Sequence, residues 1–283
     1  MRVLLIGAGG MLGKDILRTW QGIDIIPVAR QDADIRDLQE VRSLIQKHHP
    51  DWVLLAAAFT DVDGAERNPG VAFAINEHGT ANVAQASEEV GARLLFISTD
   101  YVFDGTYRRP YEPEDPISPL GVYGDSKAKG EAAVQRLCSR FCIVRTSWLF
   151  GAQRSSFPEK ILQAAISGLE LRVVSDQVGS PTYTKDLALA LQQLIKAEAR
   201  GILNFTNAGT CSWFEFAEEI LRQAGLKTPV HPITTAEAAR LARRPAYSVL
   251  SPATLGAYGI TPRSWQEALG AYLDDLRQQG KLH

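Results

Sequence analysis

The chain has 283 residues, with 30 Lys and Arg against 32 Asp and Glu for a formal charge of −2. Hydrophobic residues at 45% and charged residues at 22% exclude a disordered chain, and the missing basic surplus argues against a nucleic-acid partner held by its phosphates. Cys138, Cys142 and Cys211 form no disulfide framework and no apolar run approaches the ~20 residues of a membrane span, so a cytoplasmic protein of one large or two small domains is expected.

β-rich runs recur at residues 3–6, 24–28, 52–57, 93–98, 141–146, 171–174 and 202–206. Helical spacing fills most of the intervals. Leu38, Val41, Leu44 and Ile45 share one helix face behind Asp37 as a cap, and residues 71–90 and 118–137 read as longer helices. Strands alternating with helices imply βαβ units, and the unbroken apolar character of the first strands implies burial on both faces. The expected fold is α/β, a doubly wound parallel sheet of Rossmann type. From Trp148 onward prolines shorten the elements, which marks a smaller α/β C-terminal lobe ending in an amphipathic helix from Trp265 to about Leu276. Residues 1–147 are read as a dinucleotide-binding domain. Residues 148–283 are read as mainly a substrate-binding lobe that returns a strand and helix, about 184–207, to the first domain.

The first strand runs into Gly7-Ala8-Gly9-Gly10-Met11-Leu12-Gly13. A strand, a glycine turn and a helix start make an anion site, because unpaired N–H groups and the helix dipole face a phosphate that missing side chains let approach. The pyrophosphate of a dinucleotide is the expected ligand; the plainer reading is a tight turn needing positive φ. At the end of the second strand an acidic residue favours NAD and an arginine suits a 2′-phosphate. Arg30 stands there and favours NADPH, while Asp32 and Asp34 close by leave NADH possible. The alternative for Arg30 is a solvated loop charge.

The fourth strand ends in Ser98-Thr99-Asp100, at the carboxyl edge where ligands of such sheets bind. Ser118-Pro119 reads as a helix cap and first position, and Tyr123 and Lys127 then lie four apart on one face. A free phenol has a pKa near ~10, and a neighbouring ammonium is expected to lower it. Tyr123 would then give a proton to a carbonyl oxygen as hydride reaches its carbon, with Thr99 holding that oxygen and Lys127 orienting the cofactor.

With these residues in place, the chain resembles the extended short-chain dehydrogenase/reductases, and within them the dTDP-4-dehydrorhamnose reductase family. The likeness rests on Ala56-Ala57-Ala58-Phe59-Thr60-Asp61-Val62-Asp63, Ser98-Thr99-Asp100-Tyr101-Val102-Phe103-Asp104-Gly105 and Arg145-Thr146-Ser147-Trp148-Leu149-Phe150. Asp176-Gln177-Val178-Gly179-Ser180-Pro181-Thr182 and Arg243-Arg244-Pro245 extend it into the second lobe. The resemblance implies NAD(P)H-dependent reduction of the 4-keto group of a dTDP-linked 6-deoxyhexulose. It implies pyrophosphate at Gly10, Met11 and Leu12, adenine along Asp34 and Ile35, cofactor contact at Ala58, Phe59 and Thr60, and catalysis by Thr99, Tyr123 and Lys127. Asp100 and Trp148 would contact the sugar, the indole by stacking on a hexose face; a core tryptophan is the alternative. Arg244, with Arg243, would meet the substrate diphosphate, or else lie in a solvated loop.

Two rival readings stay open. A related 4,6-dehydratase or epimerase has the pattern Thr-Asp-Glu at the strand end, where this chain has Tyr101 in place of the glutamate. A silent regulatory subunit, such as the one that resembles this family in methionine adenosyltransferase, would not need the Thr99, Tyr123 and Lys127 trio. No metal is expected: His48, His49, His78, His231 and His283 lack ligand spacing with the cysteines. A nucleotide sugar is the expected partner, and monomer and homodimer both stay open.

Overall fold

Strands that are apolar on both sides need both faces covered, and this sequence supplies helices for each. The computed structural model describes residues 1–282; His283 lies outside them. β1 (Arg2–Ile6) leads through α1 (Met11–Thr19) to β2 (Asp24–Val28), and through α2 (Leu38–His48) to β3 (Trp52–Leu55). Next come α3 (Val62–Arg67), α4 (Pro69–Phe73), a π-helical turn (Ala74–Gly79), α5 (Thr80–Glu89) and β4 (Arg93–Thr99), which ends in a 3₁₀ turn at Asp100–Val102. Then α6 (Val122–Leu137) precedes β5 (Phe141–Thr146). The remainder holds β6 (Leu149–Phe150), α7 (Phe157–Ile166), β7 (Leu171–Val174), β8 (Val178–Gly179), β9 (Thr182–Tyr183), α8 (Thr184–Lys196) and β10 (Gly201–Asn204). β11 (Cys211–Ser212), α9 (Trp213–Ala224), β12 (Val230–Ile233), α10 (Thr235–Ala238) and α11 (Trp265–Gln278) complete it.

Six strands form one parallel sheet in the order β10-β5-β4-β3-β1-β2. Alternate residues feed opposite cores. Val3, Leu5, Leu54, Leu95 and Val144 meet Ile16 of α1 and Leu187, Leu191 and Leu194 of α8. Leu4, Val53, Leu55, Phe96 and Ile143 meet Val41 and Ile45 of α2, Val83 of α5 and Val134 of α6. The chain order reverses at β1, so the crevice above the ends of β1 and β3 is the topological switch point where ligands of such sheets bind. β10 adds to β5, and α8 packs beside α1, where the Trp20 indole N–H donates to the Ala188 carbonyl at 2.7 Å. The C-terminal lobe has its own aromatic core of Phe150, Phe216, Trp265 and Tyr272.

The structure amends several expected elements. The run at 171–174 is a strand, but it pairs with β12 outside the main sheet. The run at 52–57 stops at Leu55, and Ala56 and Ala57 lie directly against Gly7. The helix expected over 71–90 carries the π turn, and the helix expected from Ser118 begins at Val122. Ser118 is no cap: its N–H donates to the Val102 carbonyl, and the Val122 N–H is met by Glu66 of α3 at 2.8 Å. All three cysteines are free and buried, and no helix among the described residues is long and apolar enough to cross a membrane.

Helix α6 lies close to the π turn because Gly130 has no side chain; a Cβ there would overlap the Asn76 carbonyl and crowd the Phe96 ring at 3.3 Å. Gly130→Ala is expected to destabilise the protein by about 1–3 kcal/mol through overpacking, read as a lower urea midpoint at unchanged slope.

Candidate active site

The glycine turn begins with Gly7 at φ 102, a conformation that L side chains rarely adopt. Its N–H and that of Ala8 both donate to the Val28 carbonyl, at 2.9 and 3.0 Å, tying the turn to the end of β2. A Cβ on Gly7 would lie 2.6 Å from the Ala57 nitrogen, and one on Gly13 would overlap the Gly7 carbonyl. Both glycines are therefore demanded by backbone packing. Gly10 caps α1 with extended backbone and no side-chain hydrogen bond, so the N–H groups of Met11 and Leu12 have no side-chain acceptor. These features fit a dinucleotide pyrophosphate: the donors are free and the surface is bare backbone.

At the β2 end Arg30 is exposed, beside Ala29, which is too small to crowd a ribose substituent. Asp32 is turned away, accepting the Ala29 N–H at 2.7 Å. Asp34 is held by the Arg36 side chain at 2.9 and 3.0 Å, which lowers its carboxyl to about 2. Ile35 is buried against Gly79, where a Cβ would come within 2.7 Å of it. Ala58, Phe59 and Thr60 follow β3. Phe59 is clamped by Asn76 of the π turn: its N–H donates to Oδ1 at 2.8 Å and its carbonyl accepts from Nδ2 at 3.1 Å. Asn76 Nδ2 also donates to the Ser126 hydroxyl at 3.0 Å, and that hydroxyl donates to the Tyr123 carbonyl at 2.8 Å. Sequence reasoning missed Asn76 and Ser126. The available signal was an asparagine inside a helical run, a residue type that favours turns over helix interiors.

Thr99 and Asp100 are buried at the end of β4, and the Thr99 hydroxyl donates to Asp100 Oδ1 at 3.0 Å. Asp100 Oδ2 has no hydrogen-bond partner among the described residues. Burial pushes this acid up to about 6, against the pull of the Ser248 and Thr99 hydroxyls. Tyr123 lies half-buried one helical turn before the buried Lys127. The ammonium of Lys127 donates to the Ile97 carbonyl at 2.7 Å and sits 4.0 Å from the Phe96 ring centroid.

This geometry corrects one expectation. Burial pushes the Tyr123 phenol up to about 12, with Thr99 opposing and the Asp100 charge reinforcing. Burial likewise pulls Lys127 down to about 7, against the Glu131 charge. The ammonium does not acidify the phenol, because it is aimed at the strand carbonyl and desolvation outweighs it. Tyr101 packs edge-on against Tyr123, with centroids 5.4 Å apart, and burial raises its phenol too. It cannot replace the glutamate base of a dehydratase.

On the C-terminal side Trp148 has φ 47, an outlier for a bulky residue. Its indole stacks on Trp213 of α9 with centroids 3.6 Å apart, and a Cβ on Gly179 would come within 2.5 Å of it. Much of its surface is thus spent on protein. Arg244 does not present a free fork either: it pairs with both oxygens of Asp63 on α3, at 3.2 and 3.1 Å. Arg243 is exposed. Pro245 lies against Gly105, where a Cβ would come within 2.6 Å of it, so the 98–105 and 243–245 stretches are in contact.

A family model described as the RmlD substrate binding domain matches residues 1–278. The chain is 43% identical over 276 residues to the spore coat polysaccharide biosynthesis protein SpsK of Bacillus subtilis, covering 97% of each. It is 40% identical over 282 residues to dTDP-4-dehydrorhamnose reductase of Mycobacterium tuberculosis, covering 96% of this chain and 92% of that one. The crystal structure of dTDP-4-dehydrorhamnose reductase from Bacillus anthracis in complex with NADP matches with a TM-score of 0.94 at 38% identity, over 97% of this chain and 99% of that one.

Lys127 makes stability depend on pH. Its folded value near 7 lies below the ordinary 10.5, so the unfolded chain binds more protons between the two. Stability therefore rises through this interval as the buried amine is relieved of its charge. Lys127→Met is expected to remove that rise, measured as unfolding free energy at a series of pH values in both proteins.

Proposed function

The chain belongs to the RmlD substrate-binding family, and on that premise we propose that it reduces the 4-keto group of dTDP-4-dehydro-6-deoxy-L-mannose with NADPH, giving dTDP-L-rhamnose. One observation carries the reading. The glycine turn after β1, Thr99 at the end of β4 and the Tyr123–Lys127 pair on α6 come from three distant stretches, and all adjoin the carboxyl edge of one sheet. The bound cofactor supplies hydride to the sugar C4.

The remaining steps belong to the chain. Backbone N–H groups at Met11 and Leu12 hold the pyrophosphate, Gly10 giving its own N–H to the Gly7 carbonyl at 3.0 Å and leaving the approach bare, and Arg30 takes the 2′-phosphate. Ala58 and Phe59, fixed by Asn76, line the cofactor. Thr99 turns its hydroxyl from Asp100 Oδ1 to the sugar carbonyl oxygen, and Tyr123 donates its phenolic proton to that oxygen as the negative charge develops. A phenol raised to about 12 is protonated at neutral pH and therefore holds the proton that this step requires. The phenolate recovers its proton from solvent. Lys127 orients the cofactor ribose, and Asp100 meets a sugar hydroxyl once substrate binding uncovers its buried Oδ2. The substrate diphosphate would compete with Asp63 for the Arg244 fork.

The test is loss of the reduced-nicotinamide absorbance on mixing the chain, NADPH and the dTDP-4-keto sugar. One cofactor consumed per sugar supports the reading; a dehydratase or epimerase regenerates its cofactor and shows no net loss. Tyr123→Phe is expected to cut kcat by roughly 10²–10⁴ with NADPH affinity near normal; full turnover would remove the mechanism. Arg30→Ala is expected to raise KM for NADPH roughly tenfold, the weight of one charge-assisted contact, while leaving NADH unchanged in parallel assays.

A further inference from the structure

Tyr123, Lys127 and Glu131 recur every four residues along one stripe of α6. Lys127 and Glu131 are both inside the protein, 2% and 1% exposed. Glu131 is held from β5 and β4: Arg145 donates Nε to Oε1 at 3.0 Å and its terminal nitrogen to Oε2 at 2.7 Å, and the Ser98 hydroxyl donates to Oε1 at 2.5 Å. The other terminal nitrogen of Arg145 donates to the Pro113 carbonyl at 2.9 Å. Four donated hydrogen bonds thus fix this carboxylate and arginine in place.

We propose that Glu131 is a positioning residue for the reduction: its clamped carboxylate, one turn along α6 from Lys127, keeps that buried amine charged and so maintains the cation that orients the cofactor ribose. The inference rests on the reductase reading of this site. Lys127 has shed its water, and the ligands it keeps are the Ile97 carbonyl and the Phe96 face, which stabilise a cation less than water does. Glu131 is the charge that opposes this desolvation. The other titratable groups on elements packed against α6 are engaged elsewhere or turned to other surroundings: on α5 Glu88 accepts from Ser139 and Glu89 from Arg42, and at α3 Asp63 holds Arg244 while Arg67 pairs with Asp61. Asp100 and Tyr101 in the turn after β4 act on Tyr123 and on each other. Arg145 is spent on Glu131, Glu66 of α3 accepts the Val122 N–H, and on the π turn Glu77 is half-buried and His78 exposed. Without Glu131 the ammonium would lose its proton at lower pH.

The experiment uses the full chain with lysine labelled by ¹³C at the ε carbon, the Lys127 signal being assigned by its loss in Lys127→Arg. Glu131→Gln/Arg145→Met removes the buried pair together, so that no unpaired charge is left inside. The expected result is a Lys127 midpoint lower by about one unit or more, with the alkaline limb of the kcat profile moving down by the same amount. A folded double variant in which midpoint and limb both stay put overturns the proposal. So does a midpoint that falls while the limb does not. If the double variant fails to fold, Glu131→Asp carries the test: Arg145 draws the shortened carboxylate towards β5, and a smaller downward shift is expected, its absence counting against the proposal. The midpoint is read without turnover, so a wild-type chain that consumes no NADPH sinks the reductase reading separately.

Discussion

A lysine and a glutamate carried one turn apart into the interior on the same helix are expensive, and the architecture around β4 follows from how that expense is met. Arg145 completes the charge balance from β5, Ser98 adds a hydroxyl from β4, and the Ile97 carbonyl and Phe96 ring take the ammonium. Each of these partners is a sheet residue. Helix α6 is thereby pinned in rotation and depth over the sheet, and Tyr123, on the same stripe, is pinned with it. The small residues along α6 serve the same end: a Cβ on Gly124 would overlap the Tyr101 carbonyl, as one on Gly130 would overlap that of Asn76.

Next to this pinned helix the switch point offers bare backbone. Gly7 and Gly13 bring the turn, the start of α1 and the strand-end alanines together at distances no side chain would permit. The result is a row of N–H groups without side-chain acceptors on one wall and a phenol on the other. Asn76 couples the two walls, since one side chain binds both the Phe59 backbone and Ser126 on α6. The π turn that carries Asn76 interrupts what is otherwise one continuous helix, and such turns commonly mark functional positions.

The C-terminal lobe reaches this crevice through contacts between residues far apart in the chain. Asp63 binds Arg244 and the Ala242 N–H, Pro245 packs on Gly105, and Trp148 leans on Trp213. These contacts explain why Trp148 tolerates a left-handed backbone: stacking and the absent side chain at Gly179 hold the indole where a relaxed backbone would not.

What the sequence determined by itself is the layering and the cast. Apolar runs of strand length separated by helical periodicity dictate a parallel sheet covered on both faces, and Gly7-x-x-Gly10-x-x-Gly13 and Tyr123-x-x-x-Lys127 are local spacings whose chemistry is set by bond geometry alone. The start of α6 was misread because its cap is Glu66, fifty-six residues upstream, and no local pattern announces a cap supplied from another helix. Asn76, Ser126, Glu131, Asp63 and Trp213 were missed for the same reason: each acts through a partner distant in sequence. The tertiary structure alone decided the direction in which Tyr123 and Lys127 are shifted. Spacing promised a cation that would acidify a phenol, yet burial depth, which no sequence prints, raises one group and lowers the other, because desolvation acts on each before their mutual attraction does.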